Sequence, residues 1–131
     1  MKPISSLPAE IESVASAAIE CAFKVHRQLG PGLLESVYET CLLHELKKSG
    51  LPFENQKVLP ITYDGLKLEA GLRLDVVVQK QVILEIKAVE AVLPVHLAQL
   101  LTYLKLTGLR LGLLINFNTV LLKDGLRRVV L

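Results

Sequence analysis

The sequence predicts an α/β domain, a central mixed β-sheet flanked by helices, with elements in the order ααβββαββ. Two observations carry this. Apolar residues recur at three- and four-residue spacing as far as Ser49-Gly50, the period drops to about two after Pro52, and the helical period returns between Pro94 and Gly108. A chain of 131 residues fits one domain and encloses one core without staples, and no segment repeats or falls into low complexity, so residues 1–131 are read as a single domain.

From Pro8 to Leu29, Ile11, Val14, Ala15, Ala18, Ala22 and Val25 mark one amphipathic helix, which stops at Gly30-Pro31-Gly32. Proline restricts the residue before it and glycine permits the corner. A second helix is expected from about Leu33 to Lys48, with Leu34, Val37, Tyr38, Cys41, Leu42 and Glu45 around one side and a stop at Ser49-Gly50. Val58, Ile61 and Tyr63 then lead into the turn Asp64-Gly65, and Leu66 to Val78 forms the antiparallel return. Val82 to Ala88 supplies a third strand beyond Gln79-Lys80-Gln81. Pro94 suits a first helical turn, and Leu97, Leu100, Leu101 and Leu104 give that helix its core stripe. Leu111 to Phe117 and Leu126 to Leu131 close the sheet, with a turn expected at Lys123-Asp124-Gly125. Such a sheet needs helices to cover it.

Composition excludes more than it proposes. Fifteen basic residues against thirteen acidic ones leave a formal charge of +2, too little to argue for nucleic acid by itself. Hydrophobic residues make up 51%, yet a charge or turn residue breaks every apolar run well before about 18 positions, so no membrane span is expected. The surplus of leucine and valine exceeds what a small interior hides, and self-association into a homo-oligomer is the expectation. Cys21 and Cys41 lack CxxC spacing and no leader peptide precedes them, so they read as reduced core thiols of a cytoplasmic protein.

The chemistry concentrates in two strands. Side chains alternate along a strand, so Glu85 and Lys87 in LEIK share a face while Leu84 and Ile86 point the other way. Asp75 interrupts LRLDVVV in the same manner. Carboxylates set into a sheet cost several kcal/mol unless compensated, and a cation compensates them economically. If Val78 pairs with Val82, Asp75 falls opposite Glu85 and Arg73 opposite Lys87; a slip of one residue would separate the acids. Oxygens of Asp75 and Glu85 with the Ile86 carbonyl then suit Mg²⁺ or Mn²⁺, and Lys87 reaches the water or phosphate beside it. Spacing alone leaves open the alternative of surface ion bridges on a half-exposed sheet. His96, Gln99 and Tyr103, at i, i+3 and i+7, form a polar seam on the third helix, although a histidine there also serves as a helix-terminus residue bonded to backbone. Glu35 and Tyr38 are i, i+3 neighbours at the start of the second helix, readable equally as a cap-region acid and a core aromatic.

The blocks LGPGLLESVYE, RLDVVV, LEIKAVE, LPVHLAQLLTYLKLTG and GLLINF, in this order, resemble the GxxExxY proteins, with Gly32, Glu35 and Tyr38 at the signature positions. That family is assigned to the PD-(D/E)XK nuclease superfamily, and the similarity spans about residues 22 to 131. The resemblance implies a restriction-endonuclease-like core. It also implies that Asp75 is the metal-binding acid, Glu85 the second acid, Lys87 the lysine, Glu35 the helical acid of the metal shell and Gln99 the polar residue of the following helix, with Tyr38, His96 and Tyr103 in matching blocks. The expected activity is metal-dependent hydrolysis of phosphodiester bonds with Mg or Mn as cofactor and nucleic acid, DNA foremost, as partner. Arg73, Lys105, Arg110, Arg127 and Arg128 are the supporting basic groups. A catalytically silent nucleic-acid-binding or scaffolding domain that acts with a partner is the alternative, and a hydrolase of a small phosphate ester is a third reading.

Overall fold

The computed structural model describes residues 7–131, Ala70 by its backbone alone. The expectation about a leader peptide falls on residues 1–6 and lies outside this range. Helix α1 (Ala9–Leu29) buries Val14, Ala15, Ala18, Ala22 and Val25 of the stripe its spacing predicts, with Ile11 half-buried and Cys21 added to it. It ends at Gly30, whose φ of 66° and ψ of −171° suit a residue without Cβ. Helix α2 (Glu35–Lys48) starts two residues later than the apolar pattern suggests. Leu33 and Leu34 stay exposed and carry the corner, because the Leu33 N–H is bound by the Tyr38 hydroxyl, 3.0 Å away, instead of a helical carbonyl.

Five strands follow the expected order: β1 (Phe53–Tyr63), β2 (Leu66–Val78), β3 (Val82–Lys87), β4 (Leu111–Asn116) and β5 (Leu126–Val130). Helix α3 (Pro94–Thr107) lies between β3 and β4, and a short 3-10 turn, Leu122–Gly125, stands where Lys123-Asp124-Gly125 predicts a bend. The strands form one sheet in the order β1-β2-β3-β4-β5, antiparallel except for β3 and β4. That parallel pair needs a long crossover, which α3 supplies. α1 and α2 cover one face through Val76, Val78, Val82, Leu84, Ile86, Leu113 and Ile115; α3 covers the other through Leu72, Leu74, Val77, Ile83 and Leu114. Being covered on both sides, β3 and β4 are near-continuous apolar runs. Each large aliphatic side chain buried there contributes about 1.5–3 kcal/mol, which holds the polar end of β3 in place. Part of the apolar surplus remains outside, as Val58, Tyr63, Leu66 and Leu68 at the outer end of the β1–β2 ribbon.

Among the described residues, no helix is long and apolar enough to cross a membrane. Both cysteines are free, Cys21 buried beside the Ser49 hydroxyl at 3.3 Å and Cys41 half-buried.

Gly125 closes the end of β4. A Cβ at this position would lie 2.1 Å from the backbone oxygen of Asn116, which cannot swing aside as a side chain would. Gly125→Ala is therefore expected to cost about 3 kcal/mol and lower the melting temperature by roughly 10 °C. Thermal unfolding checks it, and an unchanged midpoint would show that the turn yields without strain.

Candidate active site

The β2–β3 hairpin has the register its apolar pattern predicts, Val78 with Val82, Val77 with Ile83 and Val76 with Leu84. The ladder stops there. Asp75 and Glu85 come next but form no ladder pair, and Arg73 pairs with Val58 of β1 instead of facing Lys87 across β2 and β3. The reason is a change of phase in β2. Val77 packs under α3 with Val76 and Val78 on the opposite face, yet beyond Asp75 it is Leu74 and Leu72 that pack under α3. Strict alternation would have sent Leu74 and Leu72 to the other face. On β1 the residue between the partners of Val76 and Leu74 is Gln56, whose φ is 50°. The backbone twists at this point.

The twist turns the Asp75 side chain toward β3. Its Oδ2 accepts a hydrogen bond from the Ile86 N–H at 2.9 Å, and Glu85 Oε1 accepts one from the Asp75 N–H at 3.4 Å. Each acid thus bonds the other strand's backbone where ladder bonds have ended. In an extended strand the N–H and C=O of one residue point to the same side. Lys87 O bonds Phe117 N on the β4 side at 2.9 Å, so Ile86, one residue earlier, directs its carbonyl as well as its N–H toward Asp75.

Glu85 is only 6% exposed. Burial above all, then the charge of Asp75 and a hydrogen bond shared with it, push its carboxyl up to about 8; the Asp75 N–H and the Lys87 ammonium pull the other way. Lys87 is half-buried beside this pair. Glu35, exposed at the first turn of α2, has its carboxyl raised by partial desolvation, by Asp75 and by Glu39, and lowered by Lys87, so it feels the charges of the strand acids and the lysine. From α3, Tyr103 faces them too. Its phenol is pushed up by partial burial and by the Glu85 and Asp75 charges, and a hydrogen bond from Gln99 acts against this. Asp75, Glu85 and Ile86 are thus in direct contact, Lys87, Glu35 and Tyr103 are electrostatically coupled to them, and Gln99 bonds Tyr103.

His96 has a different task. Its Nδ1 accepts the Leu93 N–H at 3.0 Å, closing the start of α3, as the backbone-bonded reading anticipates. Tyr38 is fully buried, stacked on Phe117 with ring centroids 4.7 Å apart; its hydroxyl donates to Gly30 O at 2.7 Å. It shapes the loop into Glu35 rather than lining the site. Arg73 is exposed on β2. Arg128 is bound to Glu12, and Arg127 donates to the Asp124 and Leu126 carbonyls, both at 3.0 Å; these two lie on β5, two strands from β3.

Four neighbours of the site escape the sequence reading. Glu39 is one helical turn after Glu35, a spacing that flags it, and it accepts a hydrogen bond from Gln56 at 2.5 Å. Gln56 itself carries no local signal. Asn116 and Asn118 tie loops at the end of the sheet; a lone amide closing the apolar run LGLLIN was the available sign for Asn116.

Two carboxyls and a carbonyl form a set of hard oxygen donors, the kind Mg²⁺ or Mn²⁺ takes. Burial, and after it the adjoining Asp75 charge, make the ionised Glu85 costly, and a cation bound between the two acids would offset both, so the residues fit a divalent metal. Among the described residues no three His, Cys, Asp or Glu side chains stand close enough to cage an ion, so Glu35 lies outside that donor set in this structure.

A mixed sheet covered by helices on both faces, with one acid where a strand parts from its neighbour and an acid-x-lysine closing the next, defines a nuclease-type α/β domain. The family model for the PD-(D/E)XK nuclease superfamily matches residues 12–129, and the chain belongs to that superfamily. Its fold is accordingly restriction-endonuclease-like, and the superfamily implies nuclease chemistry on nucleic acid, generally with a divalent metal. Searches of curated proteins and of solved structures return no match.

Proposed function

We propose that the protein is a metal-dependent nuclease of the GxxExxY kind that hydrolyses phosphodiester bonds in DNA. One observation carries the reading: the reciprocal bonding of Asp75 and Glu85 at the break between β2 and β3, with Lys87 beside it. Asp75, Glu85 and the Ile86 carbonyl would hold Mg²⁺ or Mn²⁺, with Glu35 reaching it through a water. The bound metal supplies Lewis acidity, polarising the phosphate and lowering the pKa of water. Lys87 pairs its ammonium with a non-bridging phosphate oxygen and offsets the charge that grows as water adds to phosphorus. Gln99 and Tyr103 donate hydrogen bonds from α3 and orient the phosphate against the attacking water. Glu35 takes a proton from that water as its oxygen adds to phosphorus, the bond from phosphorus to the leaving sugar oxygen breaks, and that oxygen takes a proton from solvent.

Purified protein with Mn²⁺ or Mg²⁺ should nick supercoiled plasmid or shorten single-stranded DNA, and EDTA should stop it. No cleavage of either substrate, despite a stoichiometric Mn²⁺ site, would defeat the reading.

A second reading has one observation in its favour. Net charge is only +2 and the Arg127-Arg128 pair is engaged with the protein itself, which leaves little backbone-binding surface of its own. A scaffolding domain that captures nucleic acid with a partner accounts for this. Calorimetry separates the two, since a scaffold has no need of a Mn²⁺ site.

A further inference from the structure

We propose that Asn118 is a positioning residue: its carboxamide joins the loop leading into Glu35 to the segment that follows Lys87, and so sets how far apart the two groups stand. The inference rests on the nuclease reading. Glu35 and Lys87 belong to elements far apart in the chain, and neither element by itself fixes the distance between the two groups. Asn118 Oδ1 accepts the Gly32 N–H at 3.1 Å, three residues before Glu35; Asn118 Nδ2 donates to Val89 O at 3.4 Å, two residues after Lys87. One side chain thus bonds both segments. Since one partner is a donor and the other an acceptor, the amide has a single orientation that serves both.

Its base is fixed. The Asn118 N–H donates to Asn116 Oδ1 at 3.2 Å, and the buried Asn116 amide also grips Val89, accepting from its N–H and donating to its carbonyl, both at 3.0 Å. Phe117 stacks on Tyr38, and the next carbonyl, Thr119 O, bonds His26 Nε2 at 2.8 Å. Gly32 is held from the neighbouring side, because the Tyr38 hydroxyl spans Gly30 O and Leu33 N. Tyr38 closes the loop on itself and Asn116 closes the strand end on β4; Asn118 connects the two closed units. A site held this way is preorganised, and a misplacement of about 1 Å can cost on the order of 100-fold in rate.

The test is a mutant cycle with Glu35 on full-length protein, reading kcat and KM on plasmid and the Mn²⁺ dissociation constant by calorimetry. Asn118→Ala should lower kcat by about 10- to 100-fold with KM changed less than about twofold. Asn118→Asp keeps the acceptor for Gly32 but loses the donor to Val89, and should fail nearly as badly; if the side chain merely stiffened the loop, the aspartate would restore activity. Mn²⁺ binding should weaken about three- to tenfold on Asn118→Ala in the wild-type background and less than about 1.5-fold in Glu35→Gln, since a residue acting through Glu35 has nothing left to position. Asn118→Ser, smaller yet polar, replaces the alanine variant should that one fail to fold. Equal losses in both backgrounds, or a kcat that falls only with the folded fraction, would overturn the inference while leaving the nuclease reading standing. A wild-type protein that neither binds Mn²⁺ nor cuts DNA would overturn both.

Discussion

Lys87→Ala is expected to lower plasmid nicking by at least about 1,000-fold at limiting Mn²⁺ while leaving the melting temperature within a few degrees. Removing one preorganised charge aimed at a developing oxyanion typically costs about 2.7–4 kcal/mol of transition-state stabilisation. Here the loss is compounded. The Lys87 ammonium favours the ionised forms of both Glu85 and Glu35, so without it each carboxyl holds its proton more tightly and competes less well for the cation. Rate should fall through turnover and through metal affinity together, and raising the Mn²⁺ concentration should recover only the second part. Asp75→Ala should be as damaging, since on this reading Asp75 would be a donor to the ion and it is already the acceptor of the Ile86 N–H. Initial rates of supercoil loss measure both variants. Undiminished cutting by either would assign the activity to a contaminant or to another part of the surface.

Glu85→Gln is expected to abolish stoichiometric Mn²⁺ binding and, in the metal-free state, to make the protein more stable at pH 8. Glu85 keeps its proton in the folded chain up to about pH 8, whereas the ordinary value is 4.5. Between these values the folded state binds more protons than the unfolded one, so the Glu85 contribution to metal-free stability is fully present below about pH 4.5 and is lost as the pH rises toward 8. For one proton the slope is at most about 1.4 kcal/mol per pH unit. The glutamine has no proton to lose and should flatten that decline. With excess Mn²⁺ the order reverses: the wild type gains stability through binding and the variant does not. Denaturant unfolding at pH 5, 6.5 and 8, with EDTA and then with Mn²⁺, gives all the comparisons. A wild-type protein equally stable at the three pH values without metal would remove the case that burial and Asp75 hold a proton on Glu85. A decline with pH would make the buried Glu85 a stability cost borne for a function, as active sites commonly are.

Much of the candidate site was readable because its charged residues violate local pattern. Charges at 75, 85 and 87 interrupt apolar strands, and period-two counting from the Val78–Val82 pair aligned the first two. The counting assumed that β2 alternates without interruption, which is where it erred. Asp75 reaches β3 because the strand twists there, and nothing in LRLDVVV announces that twist. His96 shows the converse failure. On a helical wheel it joins Gln99 and Tyr103, but its position in the first turn of α3 commits the ring nitrogen to an unpaired N–H. Arg127 and Arg128 look like a phosphate-binding cluster until α1 brings Glu12 to the second of them.

Element types, their order, the hairpin register and the shared face of Glu85 and Lys87 were determined by the sequence alone, because each follows from periodicities of 3.6 and 2 acting over a few residues. What only the tertiary structure decided is which polar groups remain available for chemistry and how far apart they stand. Those outcomes depend on segments that meet after long detours of chain, Gly32 with Asn118, Val89 with Asn116 and Glu12 with Arg128. Hydrogen bonds and charges are satisfied by whatever the fold brings within about 3 Å, and local pattern carries no record of that partner.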